Sequence, residues 1–301
     1  MQTDVTFPSQ GETIAGTLFV PDDAQGAGPA IVISHPFGSV RQQSPINYAT
    51  RLVEQGLVVL TFDAAYQGES TGEPRQLEDP YVRAENVKDA VSYLTSRDEV
   101  DPERIGALGI CASGGYVPFA AATDQRIKAV ATVSGADVGA VYRAQPEMLQ
   151  QLLDGSLQAR TERTQGRQVE PSPMIPMTQE DADQQPDRSL FKEAYYYYRT
   201  DRARDDRAPN TVDPTSFDRM ASFDAYRFVD RISPRPLLMV AGSDADTLPH
   251  SQQAIEDAAE PKELFLVEGA SHVDLYDKPE AVDPAVAKIG PFFTQNLAAM
   301  S

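Results

Sequence analysis

The stretch Gly109-Ile110-Cys111-Ala112-Ser113-Gly114-Gly115 constrains this chain more than any other. Before it runs Arg104-Ile-Gly-Ala-Leu-Gly-Ile110, short, apolar and strand-like. After it comes Tyr116-Val-Pro-Phe-Ala-Ala-Ala122, which predicts a buried helix. Small residues at 109 and 112–115 let the chain turn sharply from strand to helix. The residue at the apex of such a turn is exposed and close to helix N–H groups. In this register the apex is Cys111, where Gly-x-Ser-x-Gly patterns carry Ser, and Ser113 takes the place of the last Gly. Cys111 is the single cysteine of the chain. A helix N-terminus favours the thiolate, the reactive form. Two plainer readings compete. Free Cys is often a buried, inert thiol. Ser113 as nucleophile would put Cys111 at the first Gly of the pattern, where a side chain obstructs the turn. The context favours Cys111 as nucleophile and Ser113 as a small early helix residue.

The flanking chain repeats the strand-then-helix unit. Val5–Phe7 and Thr13–Val20 alternate as an opening antiparallel pair, ended by Pro21. Ala30-Ile-Val-Ile-Ser34 is a continuous apolar run, as expected of a strand buried on both faces. It runs into His35-Pro36-Phe37-Gly38-Ser39. A tight loop at a strand's C-terminal end is where open α/β sheets place their ligands. A backbone N–H at Phe37 or Gly38 would point at a developing oxyanion, with Ala112 N–H as the second donor. An ordinary strand-to-helix turn is the alternative. His35 reads as structural, because it leads a loop that presents backbone. Ile46, Ala49, Leu52 and Val53 share a helix face, and Leu57–Phe62 is the next buried strand. Asp63 opens a long polar loop and reads as a structural carboxylate that accepts loop amides. Val82, Val87, Ala90, Val91 and Leu94 stripe a further helix, and Ile127–Val133 is another strand. This alternation predicts an α/β fold, a mostly parallel central sheet with helices on both faces.

The rhythm stops from about Gly135 to Asp230, where the chain is rich in Gln, Arg and Asp. A structureless loop of that length is improbable in a compact domain. The segment 136–230 is therefore expected to be a largely helical inserted lid, between core segments 1–135 and 231–301. Its apolar content is local: Met148, Leu149, Leu152 and Leu153, then Tyr195–Tyr198, then Phe217, Met220 and Phe223. The tyrosines either line an acyl pocket or pack the lid on the core. A lid that mediates a homodimer fits as well. The sheet resumes at Pro236–Ala241 and ends at Glu263–Val267, and Val282 to Leu297 form a closing amphipathic helix.

Nucleophile, acid, histidine is the chain order of a triad on such a sheet. Cys111 precedes Asp244 and Asp246, which precede His272, each just beyond a predicted strand. Of three histidines, His272 is the base by position, and His250 reads as a surface residue at a helix start. Four stretches together resemble the α/β-hydrolase superfamily, in particular its dienelactone-hydrolase-like branch with Cys in Gly-x-Cys-x-x-Gly-Gly. They are His35-Pro-Phe-Gly38, Phe62-Asp-Ala-Ala-Tyr-Gln-Gly-Glu-Ser70, Gly109–Gly115 and Gly269-Ala-Ser-His-Val-Asp-Leu-Tyr276. The resemblance implies hydrolysis of an ester, lactone or thioester through a Cys–His(–Asp) acyl-enzyme. Some such relatives are polyketide acyl transferases or peptidase-like. The chain departs from the usual pattern at the acid: three residues past the strand's Gly242 stands Ala245, flanked by Asp244 and Asp246. Asp244 is the first choice and Asp246 the alternative, while Asp274 caps its own loop. A Cys–His dyad without a dedicated acid also works, because a thiol needs less help than a hydroxyl.

Composition narrows the partners. The formal net charge of −19 argues against nucleic acid and anionic membrane. No apolar run approaches the ~18 residues of a membrane span, and the N-terminus lacks the pattern of a secretory signal, so a cytoplasmic protein is expected. No Cys/His cluster suits a metal, and no cofactor motif is present. The expected partner is a small-molecule acyl substrate. An acyl transferase on the same site, or a non-catalytic small-molecule binding protein, are the rivals.

Overall fold

The computed structural model describes residues 1–24 and 26–299. Its strands are β1 (Gln2–Ser9), β2 (Glu12–Phe19), β3 (Gly28–Ser34), β4 (Val58–Phe62), β5 (Val100–Ile110), β6 (Ile127–Val133), β7 (Ser172–Pro173), β8 (Thr211–Val212), β9 (Leu237–Gly242) and β10 (Lys262–Val267). Eight of them form one sheet in the order β1-β2-β4-β3-β5-β6-β9-β10, while β7 and β8 pair separately. The β1–β2 and β2–β4 pairs are antiparallel, and every other pair in the large sheet is parallel. The α/β class expected from the alternation of apolar runs is the one observed.

The central strands read as unbroken apolar runs because they are covered on both faces. Ala30 and Val32 of β3 point into one core cluster with Val87, Val91, Tyr116 and Val117. Ile31 and Ile33 point into the other, with Tyr48, Leu52, Val282 and Phe293. The helices that cover the sheet are α1 (Ser44–Val53), α2 (Pro80–Thr95), α3 (Ser113–Ala121), α9 (Leu248–Asp257) and α11 (Pro279–Asn296). Each starts where its sequence allows. Asp79 caps α2 by accepting the N–H of Tyr81 and Val82, with Pro80 at the first helical position.

Between β6 and β9 the chain carries α4 (Val138–Arg143), α5 (Pro146–Thr164), α6 (Gln179–Asp183), α7 (Leu190–Tyr198) and α8 (Phe217–Ser222), with the antiparallel β7–β8 pair among them. Phe217, Met220 and Phe223 join one core cluster, and Ala194, Tyr197 and Tyr198 join the other. This segment is thus tied to the sheet's own cores. α5 differs from its sequence pattern: it buries Ser156 and Ala159 and leaves Leu157 exposed. The last helix of the chain apart from α11 is the single turn α10 (Asp274–Asp277).

The sheet order fixes where chemistry can sit. The chain passes from β3 outward to β4, then returns to pair β5 on the other side of β3. The loops after β3 and β5 therefore open a crevice at the C-terminal edge, the switch point of the sheet. Ser34 at the end of β3 is in register with Gly109 of β5, which brings His35-Pro36-Phe37 beside Cys111. No helix among the described residues is long and apolar enough to cross a membrane.

Candidate active site

Cys111 occupies the apex of the turn between β5 and α3 with φ +58°, a conformation that side chains rarely adopt. Its neighbours enforce the turn. A Cβ on Gly109 would lie 1.9 Å from the Ser113 carbonyl oxygen, and one on Gly114 would lie 2.5 Å from Gly135 Cα. The Cys111 N–H donates to the Val133 carbonyl at 2.9 Å, and its carbonyl accepts from Gly114 and Ala136 N–H at 2.8 and 3.0 Å. The apex is therefore pinned from both neighbouring segments. Ser113 is the first residue of α3 and fully buried, donating to the His35 carbonyl at 2.6 Å.

The N–H groups of Ala112 and Phe37 face the Cys111 sulfur, with the Tyr276 hydroxyl beside it. These donors favour the thiolate, but burial outweighs them and pushes the thiol above its ordinary value. The two amides are the pair proposed from sequence as an oxyanion hole.

The loop that carries Phe37 is held by a buried ion pair. Arg83 and Glu78 are fully or almost fully buried. Arg83 Nη1 reaches both Glu78 carboxylate oxygens at 3.2 Å, and Tyr116 donates to Glu78 at 2.9 Å. Arg83 Nη2 donates to the His35 carbonyl at 2.6 Å and to Ser113 Oγ at 2.9 Å. One guanidinium thus joins the loop after β3 to the first turn of α3. His35 is structural, as expected: Nδ1 bonds its neighbour's carbonyl at Pro36, and Nε2 accepts Ala64 N–H at 3.0 Å. Asp63 likewise accepts Arg41 and Glu69 N–H at 2.8 and 3.0 Å and takes no part in the site.

His272 lies in the loop after β10, fully buried. Its carbonyl accepts from Ser134 Oγ at 2.9 Å. Nδ1 is hydrogen-bonded to Thr247 Oγ1 at 2.5 Å, and Nε2 to the Tyr276 hydroxyl at 3.0 Å. Burial first, and His250 second, bring its pKa down to about 3, so the ring is neutral near pH 7. Neither candidate acid reaches it. Asp244 is ion-paired with Arg188 at 3.0 Å, and Asp246 accepts Leu190 N–H at 2.8 Å at the start of α7. The reason is alternation: Ala245 and Thr247 face inward and are buried, so Asp244 and Asp246 face out. Asp274 caps its own loop, accepting Ser271 N–H at 3.1 Å. His250 is half-buried in the first turn of α9.

Above Cys111 lies a cavity of about 640 Å³ with its mouth included. Phe37, Ala112 and Tyr276 line its floor, and Val138, Tyr142, Met174, Ile175, Phe191 and Tyr198 line its walls. Among the described residues no charged side chain lines it.

The sequence matches the X-Pro dipeptidyl-peptidase (S15) family model over residues 10–270. The chain belongs to that family. It is 39% identical over 309 residues to the uncharacterized protein YcjY of Escherichia coli K12, covering 99% of this chain and 100% of that one. The crystal structure of the hypothetical protein PA2218 of Pseudomonas aeruginosa superposes with a TM-score of 0.90 at 34% identity, covering 98% of this chain and 94% of that one. A polyketide transferase of Penicillium, grgF, is 28% identical over 91% of this chain and 90% of its own length. Its solved structure, described as an α/β hydrolase, superposes with a TM-score of 0.83 over 99% of this chain and 100% of that one. At 24% identity that likeness shows the fold. The fold is thus the one that structure shows.

Within this S15-family site, sequence reasoning missed Thr247, Tyr276 and the Glu78–Arg83 pair. Arg83 had a legible signal, since it sits on the stripe of Val87, Ala90, Val91 and Leu94, where a charge is out of place. Tyr276 lies four residues after His272, in the single turn α10 that follows the loop.

Proposed function

We propose that this protein is an acyl-enzyme hydrolase of apolar thioesters, with Cys111 as nucleophile and His272 as base. Cys111 attacks the acyl carbonyl, and the amides of Phe37 and Ala112 hold the oxygen that becomes negative. Collapse expels a thiol, and water then releases the acyl group. The observation that carries this reading is a single thiol at a strained apex, with two amide donors aimed at it, on the floor of an uncharged cavity. The segment 136–230 acts as the lid, because α4 and α7 supply the apolar walls.

The leaving group follows from the ring's surroundings. Thr247 stands where a carboxylate would stabilise imidazolium, and burial opposes the charged ring. A poorly stabilised imidazolium is a weak help to an alkoxide or amine that must leave protonated. A thiolate leaves with far less assistance. Dipeptidyl-peptidase chemistry also calls for a group to receive the peptide's terminal amine, and the cavity offers no carboxylate. Transfer of the acyl group to a nucleophile other than water is the second reading, favoured by the dry, apolar walls and by the likeness to grgF.

The test is turnover of apolar acyl thioesters and matched alkyl esters by the wild type, Cys111→Ala and His272→Ala. The expected result is hydrolysis of thioesters at least about tenfold faster than of esters. Each variant should lose on the order of 10³-fold or more in kcat. Product analysis with an added amine or alcohol separates transfer from hydrolysis. Full activity in Cys111→Ala would refute the reading.

A further inference from the structure

We propose that Tyr276 is a catalytic residue, the proton bridge between the Cys111 thiol and the His272 imidazole. The inference rests on the acyl-enzyme reading and assigns it a group that the Cys–His(–Asp) scheme lacks. Both imidazole nitrogens are already engaged, Nδ1 by Thr247 and Nε2 by the Tyr276 hydroxyl at 3.0 Å. Tyr276 and Cys111 line the same cavity, which sets this hydroxyl beside the thiol. The thiol therefore reaches the base through one phenol oxygen.

The ring is held so that this oxygen cannot wander. Tyr197 and Tyr198 of α7 pack edge-on against Tyr276, with centroids 5.1 and 6.4 Å away. Asn47 of α1 donates to the Tyr276 carbonyl at 2.8 Å, and Tyr48 donates to the Leu275 carbonyl at 2.6 Å. The Tyr276 side chain is buried except where it faces the cavity floor with Cys111. A phenol offers one donor and can accept in turn. Its O–H donates to Nε2 while its oxygen accepts the thiol proton, and Nδ1–H then donates to Thr247 Oγ1.

The step balances without any further reactant. As the Sγ–C bond forms, the thiol proton moves to the Tyr276 oxygen, and the phenol proton moves to Nε2. The carbonyl electron pair moves to the oxygen held by the Phe37 and Ala112 amides. On collapse the bond from the acyl carbon to the leaving heteroatom breaks. That heteroatom takes a proton from Tyr276, which recovers one from imidazolium. Tyr276 remains a neutral phenol before and after.

The test compares Tyr276→Phe, His272→Ala and the double variant with the wild type, reading two rates. One is alkylation of Cys111 by iodoacetamide at pH 8, which needs no substrate. The other is kcat and KM on an apolar acyl thioester. For Tyr276→Phe the proposal expects alkylation slowed at least about fivefold and kcat lowered about 10- to 100-fold at constant KM, with an unchanged melting temperature. Adding Tyr276→Phe to His272→Ala should cost less than about threefold more, because the bridge then leads to no base. Wild-type alkylation and kcat in Tyr276→Phe would overturn the proposal. So would full multiplication of the two single losses in the double variant. The alkylation rate keeps this result separate from the choice of substrate.

Discussion

At the scale of single residues, His272 shows how much the surroundings decide. It is a buried imidazole with a pKa of about 3, below its ordinary 6.5. As pH falls, the unfolded chain takes up a proton first, near pH 6.5, while the folded ring stays neutral until about 3. Its contribution to stability is therefore complete above pH 6.5 and is lost as pH drops toward 3. Between pH 7 and 4.5 the loss from this one group amounts to about 2–3 kcal/mol. Urea unfolding at the two pH values should show a drop smaller by about that amount in His272→Gln than in the wild type. An equal drop in both would mean that the ring is not held neutral. The position of His272, the proposed base, was legible from three facts: a histidine, a loop after the last strand, a helix to follow. Its partner was not. Two carboxylates at 244 and 246 looked like the acid, and only the inward turn of Ala245 and Thr247 sends both of them outward.

At the scale of elements, the loop after β3, α2 and α3 act as one unit through Arg83 and Glu78. A buried ion pair is weak evidence for stability, but breaking it leaves a charge without a partner. Arg83→Met should cost about 3–5 kcal/mol by denaturation, because Glu78 is left alone. The double variant Arg83→Met/Glu78→Leu should recover most of that loss. Its kcat should stay at least about tenfold low, since the His35 carbonyl keeps only Ser113 of its two donors and Phe37 loses support. Recovery of kcat together with stability would show that the pair only fills space. The elements themselves were readable, because β3, β4, β6 and the second half of β5 are largely apolar runs and α2 carries its cap and its stripe. The ion pair was written in the same stripe. Glu78 lies one residue before the cap Asp79, where a carboxylate reads as solvated.

At the scale of the whole molecule, the sheet order and the inserted segment together make the site. The parallel strands could be read from their composition, and so could the crevice, since both key loops follow strands. The fate of the segment between β6 and β9 could not. Its short helices carry weak apolar patterns, and its placement depends on contacts made far along the chain. Tyr195–Tyr198 illustrate this: Tyr197 and Tyr198 enter the core against Tyr276, Tyr198 also lines the cavity, and Tyr196 instead donates to Asp183. Arginines of the segment between β6 and β9 close the arrangement from outside, Arg188 on the Gly269 carbonyl at 2.6 Å and Arg202 on Asp277. All of this converges on one thiol. The most direct measurement is the intact mass of the protein, quenched with acid within a turnover of mixing with an apolar acyl thioester. The account predicts a mass increase equal to one acyl group, mapped to the peptide that contains Cys111 and absent in Cys111→Ala. A protein that turns the thioester over with no adduct on Cys111, and does so equally well as Cys111→Ala, would contradict it.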